Sequence, residues 1–90
     1  MAWAVELADS AADALDKLDA TARHRIWRFL RGWLLRTDNP RQRGKALTGN
    51  YAGLWRYRIG DYRLVCQIQD AQLVVLVIKV GHRSNIYQGR

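Results

Sequence analysis

Ninety residues suffice for one small domain with a modest core, and 49% apolar residues exclude a disordered tail. The longest apolar run, Leu73 to Ile78, is too short to span a bilayer, the opening residues carry Glu6 and no basic leader, and the lone Cys66 excludes an internal disulfide or a cysteine-built metal site. The net charge is +7, but residues 1–20 hold five acids against Lys17 while residues 21–90 hold 14 bases against Asp38, Asp61 and Asp70, which points to a polyanionic partner, nucleic acid first.

These features predict a cytoplasmic, reduced, single domain over 1–90 that needs no metal or cofactor and touches no membrane. Twelve of the 15 bases are arginine, whose planar and permanently charged fork suits phosphate.

Residues 2–7 read as a first strand, because Trp3, Val5 and Leu7 alternate with Ala2, Ala4 and Glu6. A helix follows. Ser10 is its expected cap, with Asp13 completing a capping box, and Ala11, Leu15 and Leu18 form its apolar face. A second helix starts near Asp19 or Thr21, with Ala22, Ile26, Phe29, Leu30, Trp33 and Leu34 on one face. The short link between them predicts an antiparallel helical hairpin. Asn39-Pro40 ends the second helix, since proline disfavours helix in the residue before it.

Residues 38–53 are rich in turn formers and read as a loop, made basic by Arg41, Arg43 and Lys45, which are its candidate nucleic-acid contacts. The remainder reads as a three-stranded antiparallel meander. Gly60-Asp61 is a tight turn of the glycine-first kind between residues 54–59 and 62–68. Asp70-Ala71 is a weaker turn. Residues 73–78 are apolar on both faces and should form a central strand. The expected fold class is α+β, with the helices on one face of the sheet.

The register of the hairpin carries the functional argument. A two-residue Gly60-Asp61 loop sets Ile59 against Tyr62, Arg58 against Arg63 and Tyr57 against Leu64. Trp55, Tyr57, Ile59, Tyr62, Leu64 and Cys66 then share one face, and Arg56, Arg58 and Arg63 share the other. Like charges directly opposed across strands destabilise the pair. A sheet that grips a phosphate has a reason for them; the alternative is a solvated face on which they diverge. Past the central strand, Gly81 is expected to turn the chain so that His82 and Arg83 emerge at the sheet's end, with Tyr87 in reach. Cys66, on the core side, reads as a small buried hydrophobe.

Three segments together, Gly44-Lys45-Ala46-Leu47-Thr48-Gly49, Leu54-Trp55-Arg56-Tyr57-Arg58-Ile59-Gly60-Asp61-Tyr62-Arg63 and Val80-Gly81-His82-Arg83-Ser84-Asn85-Ile86-Tyr87, resemble the RelE toxins of type II toxin–antitoxin systems, within the wider RelE/ParE superfamily. The resemblance spans the chain in order and length. It implies a RelE-like fold and a ribosome-dependent, metal-independent endoribonuclease in which a ribose 2′-hydroxyl attacks its adjacent phosphate. It implies as partners the ribosome, mRNA and a cognate RelB-like antitoxin, with a toxin–antitoxin heterotetramer as one assembly. The family's basic residues fall on Arg56, Arg58, Arg63 and Arg83, and its C-terminal tyrosine on Tyr87.

Some family members carry lysine where this chain has Arg56 and Arg58. Arginine keeps its proton, so these two can hold RNA or stabilise charge but not carry a proton. Tyr87 or His82 is left for that role. Nearby guanidinium groups favour a phenolate at Tyr87 and disfavour protonated His82, which makes Tyr87 the first choice and His82 the second. Two other functions fit the same fold: a non-enzymatic ParE-like inhibitor of DNA gyrase, and a toxin that has become a scaffold for its antitoxin. The ParE-like inhibitor has no need of the arginine set together with Tyr87, whereas the scaffold reading is separated by toxicity on expression and its loss on replacing Arg83.

Overall fold

The computed structural model describes residues 3–82. Five strands make one sheet in the order β1-β5-β4-β3-β2. They are β1 (Ala4–Leu7), β2 (Lys45–Ala46), β3 (Trp55–Ile59), β4 (Tyr62–Gln69) and β5 (Val74–His82), with α1 (Asp9–Asp16) and α2 (Ala20–Phe29) between β1 and β2. The fold is α+β, as the residue patterns predict. The meander is there, but the sheet is larger than a meander. β1 pairs parallel with β5, and a two-residue strand inside the expected loop adds to β3. β5, apolar on both faces, lies second from one edge between β1 and β4.

Ala11 and Leu15 of α1 and Ala22 and Ile26 of α2 are buried, with Leu30 and Leu34 beyond. They meet Tyr57, Leu64, Cys66, Val75 and Val77 on one sheet face, and Trp3 closes the end of this core. α1 lies over β5 and α2 over β3, so each helix packs on the sheet. Burial pushes the Cys66 thiol up to about 12, which suits the inert packing role expected of it.

Several local expectations are corrected. α1 begins at Asp9 with Ala8 at the cap and no side-chain cap bond; Ser10 Oγ donates instead to the Ile78 carbonyl at 3.4 Å. The Ala8 N–H is still paired to Val77, so the chain enters the helix straight from the strand, and the Asp9 charge favours the helix N-terminus. α2 is capped by Asp19, whose Oδ1 accepts from the Ala22 N–H. Its extension Leu30–Leu34 is wound as a π-helix, closed by Leu35 N–H to the Leu30 carbonyl at 2.9 Å. Leu73, expected to open the last strand, is a left-handed turn residue with φ 55°. Gly81 does not turn the chain: it pairs with Arg63 inside β5.

The β3–β4 hairpin has the expected register. Gly60 takes φ +59° and Asp61 stays at negative φ, the pattern of a type II′ turn. Ile59 faces Tyr62, Arg58 faces Arg63 and Tyr57 faces Leu64. Between β4 and β5 the register slips at Val65/Cys66: Val65 faces Lys79 but Cys66 faces Val77. Ile78 is therefore an extra residue, a β-bulge that reverses the facing of everything after it on β5.

Candidate phosphate-binding site

Opposed residues of antiparallel strands share a face. Two rows of side chains follow on the sheet face turned away from the helices. Lys45, Arg56, Val65 and Lys79 form one across β2, β3, β4 and β5. Arg58, Arg63 and Gly81 form the next. Five cations thus occupy seven positions, with Val65 as a buried apolar floor and Gly81 leaving room beside Arg63.

This face is not simply solvated. Arg56 and Arg63 are half-buried, and the Arg56 Nε is out of water with no hydrogen-bond partner among the described residues. A nitrogen of the Arg63 guanidinium is buried too. Burying the Arg56 Nε–H without an acceptor is costly, and it becomes favourable when an anion supplies the missing acceptor. Arg58 is exposed beside them.

β2 covers β3 only at Trp55 and Arg56, so β3 has a free edge from Tyr57 to Ile59. A cleft of about 400 Å³ lies along that edge, lined by Phe29, Arg43, Lys45, Arg56 and Arg58 among others. Phe29 and Tyr57 form its aromatic wall, ring centroids 5.1 Å apart, and Trp33, at 5.4 and 6.0 Å from them, continues the aromatic cluster beyond it. The Arg43 guanidinium stacks over Trp33 at 4.7 Å.

The loop that delivers Arg43 and Lys45 is anchored by three contacts. Tyr57 Oη donates to the Pro40 carbonyl, Trp55 Nε1 donates to the Arg43 carbonyl at 2.7 Å, and Trp3 Nε1 donates to the Asp38 carbonyl at 3.2 Å. Burial holds the Tyr57 phenol well above its ordinary range, so it stays a neutral donor. Tyr57→Phe leaves the buried Pro40 carbonyl without its partner and is expected to lower stability by about 1–3 kcal/mol, read from a urea titration. Gly44 has φ +88°, and an added Cβ would run into the Arg56 carbonyl and Trp55 Nε1. Gly44→Ala is expected to displace this loop and destabilise the domain more than a surface substitution does, shown by a lowered thermal midpoint.

The sequence-derived candidates separate into groups. Arg56, Arg58 and Arg63 come together on the outer face, and Arg43 and Lys45 join them at the cleft. Arg41 does not. It pairs with the Asp70 carboxylate through two 2.9 Å bonds, which raise its pKa and hold Asp70 below the usual carboxylate range. His82 is also apart. The bulge sets it opposite Tyr62 on the helix side, ring to ring at 5.5 Å and nearly perpendicular. Arg83 and Tyr87 lie outside the described residues. Lys79 was missed by sequence reasoning, because its facing depends on the bulge, and so were Phe29 and Trp33, whose helical spacing reads as core. Among the described residues no three His, Cys, Asp or Glu side chains gather to hold a metal ion.

A family model described as "ParE toxin of type II toxin-antitoxin system, parDE" matches residues 5–87. The chain belongs to the RelE/ParE family of type II toxins. It is 33% identical to Toxin RelG of Mycobacterium tuberculosis (strain ATCC 25618 / H37Rv) over 88 residues, 98% of this chain and 99% of that one. It is 34% identical to Toxin RelE of the same strain over 84 residues, 93% of this chain and 84% of that one. Among solved structures, a chain of the toxin–antitoxin complex RelBE2 from Mycobacterium tuberculosis superposes with a TM-score of 0.83 at 30% identity, covering 94% and 95% of the two chains. The isolated E. coli RelE toxin superposes with a TM-score of 0.70 at 27% identity, covering 96% and 92%. This RelE/ParE toxin therefore has relatives of nearly its own length. No helix among its described residues is long and apolar enough to cross a membrane.

Proposed function

We propose that this toxin is a ribosome-dependent mRNA endoribonuclease that promotes attack of a ribose 2′-hydroxyl on its own 3′-phosphate. The observation that carries the reading is the Arg56, Arg58 and Arg63 cluster, in which two arginines are directly opposed and the Arg56 Nε is buried without an acceptor. A phosphate relieves both costs at once. Its charge cancels the repulsion, and its oxygens accept the stranded Arg56 Nε–H. As the phosphate becomes pentacoordinate its charge grows, and fixed guanidinium groups stabilise that state more than the ground state. Arg83 is proposed to complete this grip and Tyr87 to take the 2′-hydroxyl proton. Arg43 and Lys45 hold the RNA at the cleft mouth. The kinship to toxins named RelG and RelE supports the same reading.

The test is single-turnover cleavage of mRNA on programmed ribosomes, with the product ends identified. A 2′,3′-cyclic phosphate and a free 5′-hydroxyl are expected. A 5′-phosphate product, or no cleavage by active ribosome-bound toxin, overturns the mechanism. A gyrase inhibitor of the ParE kind gives no account of a half-buried arginine cluster.

The partner proposed for the resting cell is a RelB-like antitoxin with an acidic contact segment. The solved relatives include RelB–RelE complexes, and residues 21–90 of this chain carry a large positive excess. Association is expected to slow by tenfold or more between low and high salt, measured by stopped-flow fluorescence. A rate that ignores salt argues against an acidic partner.

A further inference from the structure

Gly32 has no structural reason to be glycine. Its φ is not left-handed, unlike those of Gly44, Gly49, Gly53 and Gly60. A Cβ added there would meet nothing within 4 Å. Inside a helical segment glycine is less stable than alanine, so packing and conformation both argue for another residue. It stands in the π-helical segment Leu30–Leu34, a geometry common at functional sites. Its position supplies the missing reason. Gly32 and Arg28, one turn apart, form the ridge between two open grooves.

The first groove, about 560 Å³, runs from Gly32 and Trp33 to Arg25 and Gly60. It shares Phe29, Arg43 and Ile59 with the phosphate-site cleft, so the two are one path around the free edge of β3. The second, about 380 Å³, continues past Gly32 to Trp27, Arg31 and Arg36. Among the described residues no acidic side chain lines any of these grooves, and the sequence has none between Ala20 and Thr37, where it has five arginines. Two rings along the path carry a guanidinium on their faces: Arg43 over Trp33 at 4.7 Å and Arg31 over Trp27 at 4.8 Å.

We infer that this path is a track for single-stranded RNA, continuous with the strand held at the phosphate site, and that Gly32 is the saddle over which the RNA crosses. Bases stack on the Arg43 and Arg31 guanidinium planes that Trp33 and Trp27 hold flat, and the other arginines follow the backbone phosphates, the combination by which single strands are held without reading their sequence. The inference rests on the proposed function and extends it: affinity comes from nucleotides beyond the one that reacts. A side chain at Gly32 would block the crossing, which is why the position stays bare.

The test uses uncleavable 2′-O-methyl oligoribonucleotides, a trimer and a nonamer of one repeated sequence, titrated into the full-length toxin by fluorescence anisotropy. The nonamer is expected to bind at least tenfold more tightly than the trimer. Gly32→Leu should abolish that gain, leave the trimer unchanged and melt no lower than the parent. Arg28→Gln, which keeps length and removes charge, should reduce the salt slope for the nonamer by about 0.7. Equal affinity for the two lengths overturns the inference. So does a nonamer unaffected by Gly32→Leu, or an RNA duplex that binds as tightly as the nonamer. If Gly32→Leu weakens only the antitoxin complex, the surface belongs to a protein partner and the inference falls. A trimer indifferent to Arg58→Ala and Arg63→Ala overturns the phosphate site itself, and this inference with it; a trimer that needs them beside a nonamer that gains nothing overturns the track alone.

Discussion

Arg63→Ala is expected to slow single-turnover cleavage of ribosome-bound mRNA by about 10²–10³, the usual scale for removing one preorganised charge-stabilising group. Arg63 sits opposite Arg58 on β3 and beside Gly81 on β5, so three strands fix its origin and an open position flanks it. The same substitution should leave the fold as stable as the parent or raise its stability by about 0.2–1 kcal/mol, because it removes a directly opposed like charge. Arg58→Ala should do likewise. The opposite signs of the two effects are diagnostic. A structural arginine, when lost, lowers stability and activity together; a phosphate ligand lowers activity alone. The double variant should fall short of the product of the two single losses, since both residues act on one phosphate. Near-parental cleavage by both single variants, with normal melting curves, would sink the assignment.

Local rules made the hairpin legible. Gly60-Asp61 admits few turn types, and a two-residue turn fixes every pair behind it. From that one dipeptide follow the Arg58–Arg63 opposition and the burial of Tyr57, Leu64 and Cys66. The apolar stripe of α2 was equally plain. What escaped was decided by long-range pairing. Two residues, Lys45 and Ala46, are too few to show a period, yet their place beside β3 ends half-way and opens the cleft. The pairing of β1 with β5 leaves no local mark. The bulge at Ile78 was hidden because β5 is apolar on both faces there, so a slip of one residue disturbs no pattern. That slip moved Lys79 onto the arginine face and His82 away from it. The π-helical turn was equally invisible to a 3.6-residue period, and with it the reason for Gly32.

The facing of His82 sharpens the choice of proton carrier. Attack by the 2′-hydroxyl needs a base and departure of the 5′-oxygen needs an acid, together typically worth 10²–10⁴ per group. Arg56, Arg58 and Arg63 serve as neither. His82 is a proton carrier by residue type, but its ring lies against Tyr62 on the helix side of the sheet, across from the row that holds Arg63. A base must reach the proton it removes, and geometry ranks before acidity. Lys79, the lysine of β5, stands on the arginine face, over the Tyr51 ring at 5.6 Å. Tyr87 remains the first choice on the sequence argument that clustered guanidinium groups favour its phenolate. Tyr87→Phe is therefore expected to lower single-turnover cleavage by about 10²–10⁴, and to flatten the rise of rate with pH that a phenol base imposes. His82→Gln is expected to stay within a few-fold of the parent, and Lys79→Met to fall between them through lost charge alone. If His82→Gln is the slow variant and Tyr87→Phe cleaves at the parental rate, the roles are exchanged, and the strand must release His82 across the sheet when RNA binds.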